Sequence, residues 1–303
     1  MQPEQQKIKW GDLVRALGVG VAFLIPGVSG GTMALIFNLY DKIINAVNNI
    51  FKQFVFSIKT LLPILLGIVI SILICWYPFK LAFDHIMFAV LTLFVGFILG
   101  GLPSLIKEVK GVKVNKLYIF LFLISFLFAA SLGFLSVYFE IDIQSLYDSR
   151  PWWLYFLVAF VGIIPGFALV VPGISGSMIM IVLGFYKPNI SMITNFLTWT
   201  NVGSTLGLYM CLACGILAGI LMASKIMALV LAKYRVSTFY MIIGVIIGSI
   251  ISMFYNFETV SYYGLVGFRW WEILLAGALL AFGIAVSLKI SKLGEKKEIK
   301  EVN

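Results

Sequence analysis

The chain has 303 residues, of which 61% are hydrophobic, 15% aromatic and only 12% charged, with a mean hydropathy of +1.05. That composition excludes an ordinary soluble domain and points to one integral membrane bundle. The net charge of +9 does not mark a nucleic-acid binder, because the basic residues collect in a few loops on one predicted membrane face.

Residues 1–10 are polar and end at Trp10, an interface anchor. The next run, 11–45, would span roughly 50 Å as one helix, too long for one crossing of a ~30 Å hydrocarbon core and too short for two. It leads into Pro26-Gly27 rather than a small-residue cleavage site, so no cleaved signal is expected. Proline removes a backbone donor and glycine takes conformations other residues avoid. The run therefore predicts a re-entrant hairpin of two half-helices, about 15 residues each, turning at Pro26-Gly27. Apolar residues at helical spacing then predict an interfacial helix over 43–57. Spans follow at about 60–77, 86–102 and 117–138. A second hairpin over 152–187 turns at Pro172-Gly173, with spans at about 203–224, 238–255 and 270–288 and a basic tail. The fold class is all-α and polytopic.

The two hairpins are copies. Leu24-Ile25-Pro26-Gly27-Val28-Ser29-Gly30-Gly31-Thr32 returns 146 positions later as Val170-Val171-Pro172-Gly173-Ile174-Ser175-Gly176-Ser177. Gly20, Ala22 and Tyr40 meet Gly166, Ala168 and Tyr186 at the same offset. At an offset of 148, Gly67 meets Gly215, and Gly96-x-x-x-Gly100 meets Gly244-x-x-x-Gly248, helices expected to pack closely on neighbours. The halves are 1–139 and 140–303. With a cytoplasmic N-terminus, 18 of the 22 Lys and Arg residues fall on the cytoplasmic side, and all seven Trp stand near span ends. That bias holds only if neither hairpin crosses fully. Each half then has three crossings, an odd number, so the halves are expected to form an inverted repeat with both termini cytoplasmic.

After each break a second half-helix begins, with unpaired N–H groups at membrane depth. Ser29 and Ser175 are placed as N-caps, with Thr32 and Ser177 in or next to the first turn. Hydroxyls and glycines that admit a close backbone approach suit an anion. The candidate anion-binding residues are thus Ser29, Gly30, Gly31, Thr32, Ser175, Gly176, Ser177 and Arg15. Arg15, on the first half-helix, reads equally as a positive charge for the site or as a residue snorkelling to the interface. Pro26, Gly27, Pro172 and Gly173 make the breaks.

Three competing readings remain. The breaks could be kinks that pack helices and bind nothing. The inverted repeat also suits a small-anion channel or exchanger. Gly27-Val28-Ser29-Gly30 resembles the Gly-x-Ser-Gly of rhomboid-type intramembrane proteases, but a serine nucleophile needs a base. The one histidine, His85, falls in a predicted outer loop beside Asp84, so a transporter rather than an enzyme is expected. Cys211-x-x-Cys214 has no further Cys or His at ligand spacing, and no cofactor or metal is implied.

The paired motifs at 26–32 and 172–177, with Tyr40, Tyr186, the Gly-x-x-x-Gly segments and Leu102-Pro103, resemble the bacterial polyprenyl phosphate transporters, formerly a membrane family of unknown function. The chain departs from the family pattern at Asn38, where Gly is usual, as at Gly184. The resemblance implies a flippase in the bacterial cell membrane. It would return undecaprenyl phosphate from the outer to the cytoplasmic leaflet, recycling the carrier of cell-wall precursors. The implied partners are a polyprenyl phosphate lipid, the bilayer, and a coupling proton or cation.

Overall fold

The computed structural model describes residues 10–23, 29–139, 141, 143–189, 202–267 and 269–302. Pro26 and Gly27, expected at the first break, lie outside the described residues, as does Trp199. The described elements are helical throughout: α1 (Gly11–Ala22), α2 (Gly30–Ile36), α3 (Tyr40–Asn48), α4 (Phe54–Lys107), α5 (Lys116–Tyr138), α6 (Gln144–Ser149), α7 (Trp152–Val170), α8 (Gly176–Val182), α9 (Val202–Phe254), α10 (Phe257–Val266) and α11 (Trp270–Val302). Five stretches are long and apolar enough to cross a membrane. The protein is an all-α polytopic membrane protein.

Two of the long helices are each two passes. Helix α4 leaves helical geometry at Ile86 (φ −141°, ψ 45°) and α9 does so at Tyr234 (φ −132°, ψ 43°). The rings of Phe79 and Phe94 lie 6.1 Å apart, where a continuous helix would separate them by about 22 Å. The chain therefore folds back at Ile86. At Tyr234 the turn is tight enough for the Thr238 hydroxyl to reach both Val230 O (3.4 Å) and Tyr234 O (2.8 Å). The two reversals stand 148 positions apart, the offset of the glycine pairs.

Glycines set the helix pairs, because a missing side chain lets backbones approach. Gly67 in the first pass of α4 faces Leu13 and Ala16 of α1, and Gly215 in the first pass of α9 faces Ala159 and Gly162 of α7. The second passes pair differently. A side chain at Gly100 would stand 2.7 Å from Ile284 O in α11, and Gly96 faces Leu280 and Gly283. Gly244 and Gly248 instead face Phe122 and Phe126 of α5. Each half thus packs its second pass on the third helix of the other half. One apolar core, including Ala16, Met33, Phe94, Val170 and Ile246, runs through both.

Several local expectations change. The second arm of each hairpin is a short helix of seven residues, after first arms of 12 and 19. A left-handed residue ends each short arm, Asn38 (φ 54°) in one and Gly184 (φ 78°) in the other. Leu39 N–H reaches Ala34 O and Asn38 N–H reaches Leu35 O; Phe185 and Gly184 repeat both bonds on Met180 O and Ile181 O. These are Schellman closures. The stretch 43–57 is not one interfacial helix: α3 begins at Tyr40, ends at Asn48, and α4 starts at Phe54. Its Tyr40, Ile44 and Ala46 are buried in protein, which explains why α3 belongs to the bundle. Helices α6 and α10 fill loops that the sequence leaves unassigned, and α11 runs past residue 288 to Val302.

Candidate functional site

The second break is fully described. Helix α7 ends where Val171 turns extended (φ −79°, ψ 118°), Pro172 follows, and Gly173 takes φ +84°. A side chain at Gly173 would strike Val245 and the Ile246 backbone, so both conformation and space require glycine there. Ser175 then caps α8. Its Oγ accepts from Met178 N–H at 3.5 Å and lies 2.9 Å from Ser177 Oγ.

The first break has the same cap position but a different state. Ser29 is extended (φ −89°, ψ 123°) at the start of α2, and its side chain makes no cap bond. Ser29 Oγ and Thr32 Oγ1 are buried and have no hydrogen-bond partner among the described residues. Thr32 is 1% exposed. A buried hydroxyl left unpaired costs free energy, so these two atoms mark where a ligand oxygen would be welcome.

The described glycines of the motifs lie close to other helices or rings. A side chain at Gly31 would lie 3.2 Å from Val170 O, 3.3 Å from Leu169 O and 3.3 Å from Pro172 Cα. The start of α2 therefore lies against the end of α7 and the second break. Gly30 faces the Phe23 ring, and Gly176 faces Pro165 Cα at 3.1 Å. Protein atoms thus fill the missing side-chain directions of Gly30, Gly31 and Gly176.

Arg15 lies 3.8 Å from Asp12, whose carboxylate also holds Lys42 Nζ with both oxygens at 2.8 Å. The sequence reading missed this cluster because the partners stand thirty residues apart. Asp12 is 6% exposed, and buried charge of this kind is paired as expected. A second ionic group lies nearby, where Arg235 Nε and Nη2 each stand 2.8 Å from Glu108 Oε2. Desolvation raises the pKa of Asp41 above the ordinary carboxylate range; Arg235 pulls it back and Glu108 adds to the rise.

His85 Nδ1 lies 2.9 Å from Leu81 O. No group of three metal-ligating side chains occurs among the described residues. One buried carboxylate escaped sequence reasoning altogether. Glu272, 2% exposed, accepts Phe88 N–H at 2.8 Å and Ala89 N–H at 3.4 Å. It caps the pass that starts after Ile86, and Arg269 donates to His85 O beside it at 2.9 Å.

Residues 19–264 match the family described as VCA0040-like, undecaprenyl phosphate translocase-like. A protein of Staphylococcus aureus (strain NCTC 8325 / PS 47) named polyprenyl-phosphate transporter is 27% identical over 294 residues, covering 93% of this chain and 97% of that one. A Vibrio cholerae serotype O1 protein (strain ATCC 39315 / El Tor Inaba N16961) of the same name is 26% identical over 268 residues, covering 82% and 79%. No solved structure matches.

Proposed function

Because this chain belongs to the VCA0040-like, undecaprenyl phosphate translocase-like family, we propose that it moves undecaprenyl phosphate from the outer to the cytoplasmic leaflet. The lipid would then be reused as the carrier of cell-wall precursors. The observation that carries this reading is the contact of Gly31, at the start of α2, with Leu169–Pro172 at the second break, beside the buried hydroxyls of Ser29 and Thr32, which have no partner among the described residues. A phosphate head cannot enter hydrocarbon without replacing its water. Ser29, Thr32, Ser175 and Ser177 supply hydroxyl donors midway through an apolar bundle, while the isoprenoid tail stays in lipid.

The halves act as an inverted repeat in the bacterial cell membrane, one hairpin opening to each face, with both termini cytoplasmic. Cysteines placed at Asn45 and Gly111 then label from the cytoplasm and one at Glu258 labels from outside. Inward movement of an anion opposes an inside-negative potential by ~2.3 kcal/mol per charge per 100 mV. A proton or cation moving with the lipid offsets that cost.

Reconstituted vesicles test the reading. Polyprenyl phosphate should exchange between leaflets without chloride or inorganic phosphate flux. Anion flux without lipid movement would establish a small-anion channel or exchanger instead.

A further inference from the structure

The two hairpins end alike but are fastened differently. After the left-handed residues Asn38 and Gly184 come Tyr40 and Tyr186, 146 positions apart. Each tyrosine shares a cavity with a glutamate that follows the second pass of its own half. Tyr186 and Glu258 line a cavity of about 90 Å³, and Tyr40 and Glu108 line one of about 410 Å³. The glutamates stand 150 positions apart, two more than the reversals at Ile86 and Tyr234.

In the second half the pair is made: the Tyr186 hydroxyl donates to the Glu258 carboxylate. In the first half it is not. Tyr40 is 3% exposed and its hydroxyl has no partner among the described residues. Glu108 is held instead by Arg235, at 2.8 Å. That ion pair is exposed, 51% on the arginine and 36% on the glutamate, and such pairs have small net value. A buried phenol without a partner costs free energy, and a carboxylate is a strong acceptor for it. Asp41 lines the same cavity, but the repeat puts Lys187 in its place, so the glutamate is the partner common to both halves. The breaks divide in the same way: Ser175 is bonded to Met178 N–H and to Ser177, whereas Ser29 and Thr32 are unpaired among the described residues.

We infer that tyrosine and glutamate form a latch at the foot of each hairpin, closed in the second half and open in the first, and that Glu108 leaves Arg235 for Tyr40 when the halves exchange conformations. The inference rests on the transport reading above. Two copies of one unit in two arrangements display both positions of the latch in a single molecule. The cavity is small where the latch is closed and large where it is open. With the second hairpin facing outward, this is the state closed outside and open to the cytoplasm. In the opposite state Tyr186 parts from Glu258 and Tyr40 bonds to Glu108, so each latch holds one of the two states.

Single cysteines at Ile181 and Leu35, which line the second and first cavities, report on each foot once Cys75, Cys211 and Cys214 are replaced by Ala. A membrane-impermeant maleimide is applied to right-side-out vesicles for Ile181→Cys and to inverted vesicles for Leu35→Cys. In the parent, Leu35→Cys should label fast and Ile181→Cys slowly. Tyr186→Phe and Glu258→Ala should each raise Ile181→Cys labelling about tenfold, the loss of one hydrogen bond to a charged group, and lower that of Leu35→Cys. Arg235→Gln frees Glu108 and should shift both sites in the same directions. Adding Tyr40→Phe should reverse that shift, whereas adding Asp41→Asn should not. Labelling unchanged in Tyr186→Phe and Glu258→Ala, or an Arg235→Gln shift that Tyr40→Phe leaves in place, overturns the latch. Exchange of fluorescent polyprenyl phosphate in the same vesicles separates the two readings. A parent that moves no lipid while labelling shifts as stated overturns the transport reading and upholds the latch. A parent that moves lipid with none of these shifts overturns the latch alone.

Discussion

Asn38 and Gly184 occupy the same place in the two halves and take the same left-handed backbone, φ 54° and φ 78°. The departure from glycine at Asn38 therefore leaves the turn intact, since asparagine tolerates this region better than other side-chain-bearing residues. Replacing Asn38 with Gly should change the melting temperature little. Asn38→Val should lose about 1–2 kcal/mol. Gly184→Val should be worse, because a side chain there also strikes the Ile141 carbonyl. Thermal unfolding in detergent ranks the three. An Asn38→Val protein as stable as the parent would show that the closure is not under conformational demand.

Glu272 reaches across from the second half to cap a helix of the first. Glu272→Ala leaves the Phe88 and Ala89 N–H groups without that carboxylate and should cost about 2–3 kcal/mol. Glu272→Gln keeps an acceptor oxygen and should lose much less. The check is the unfolding midpoint of the two variants. An unchanged midpoint in Glu272→Ala would mean that solvent already serves those amides.

These two cases also separate what the sequence discloses from what it hides. The repeat, the breaks and the packing role of Gly96, Gly100, Gly244 and Gly248 are legible because they recur at fixed offsets. The exchange of α5 and α11 between halves is not, since no motif marks those helices. Asp12 with Lys42, and Glu272 with Phe88, join residues far apart in the chain, and no local pattern announces either pair. At the breaks, the sequence places Ser29 and Ser175 immediately before their short helices, but not the protein neighbours of Gly30, Gly31 and Gly176, which are known only once the helices are packed.

Acid should reveal the strain on Asp41. Burial, with Glu108 beside it, raises its pKa above the unfolded value, against the pull of Arg235. The native state then binds more protons than the unfolded one between those two values. Stability tied to this group is complete below the unfolded value, about pH 4, and lost as pH rises through the folded one. Asp41→Asn should therefore melt higher than the parent at neutral pH, and the gap should close below about pH 4. A gap that persists unchanged into acid would show that Asp41 carries no such shift.

The serines at the two breaks should separate stability from transport. Ser175 is bonded to Met178 N–H and paired with Ser177, so Ser175→Ala removes a cap worth about 1 kcal/mol. Ser29 Oγ and Thr32 Oγ1 are buried without partners among the described residues. Deleting an unpaired buried hydroxyl removes a desolvation penalty of about 1–3 kcal/mol rather than a bond. Ser29→Ala and Thr32→Val should therefore melt at or above the parental temperature while lipid movement slows. Stability gained where activity is lost is the mark of a group kept for its ligand. Melting curves and leaflet-exchange rates on the same preparations decide it. If Ser29→Ala and Thr32→Val destabilise as much as Ser175→Ala and transport at the parental rate, both hydroxyls belong to the fold and the phosphate passes elsewhere.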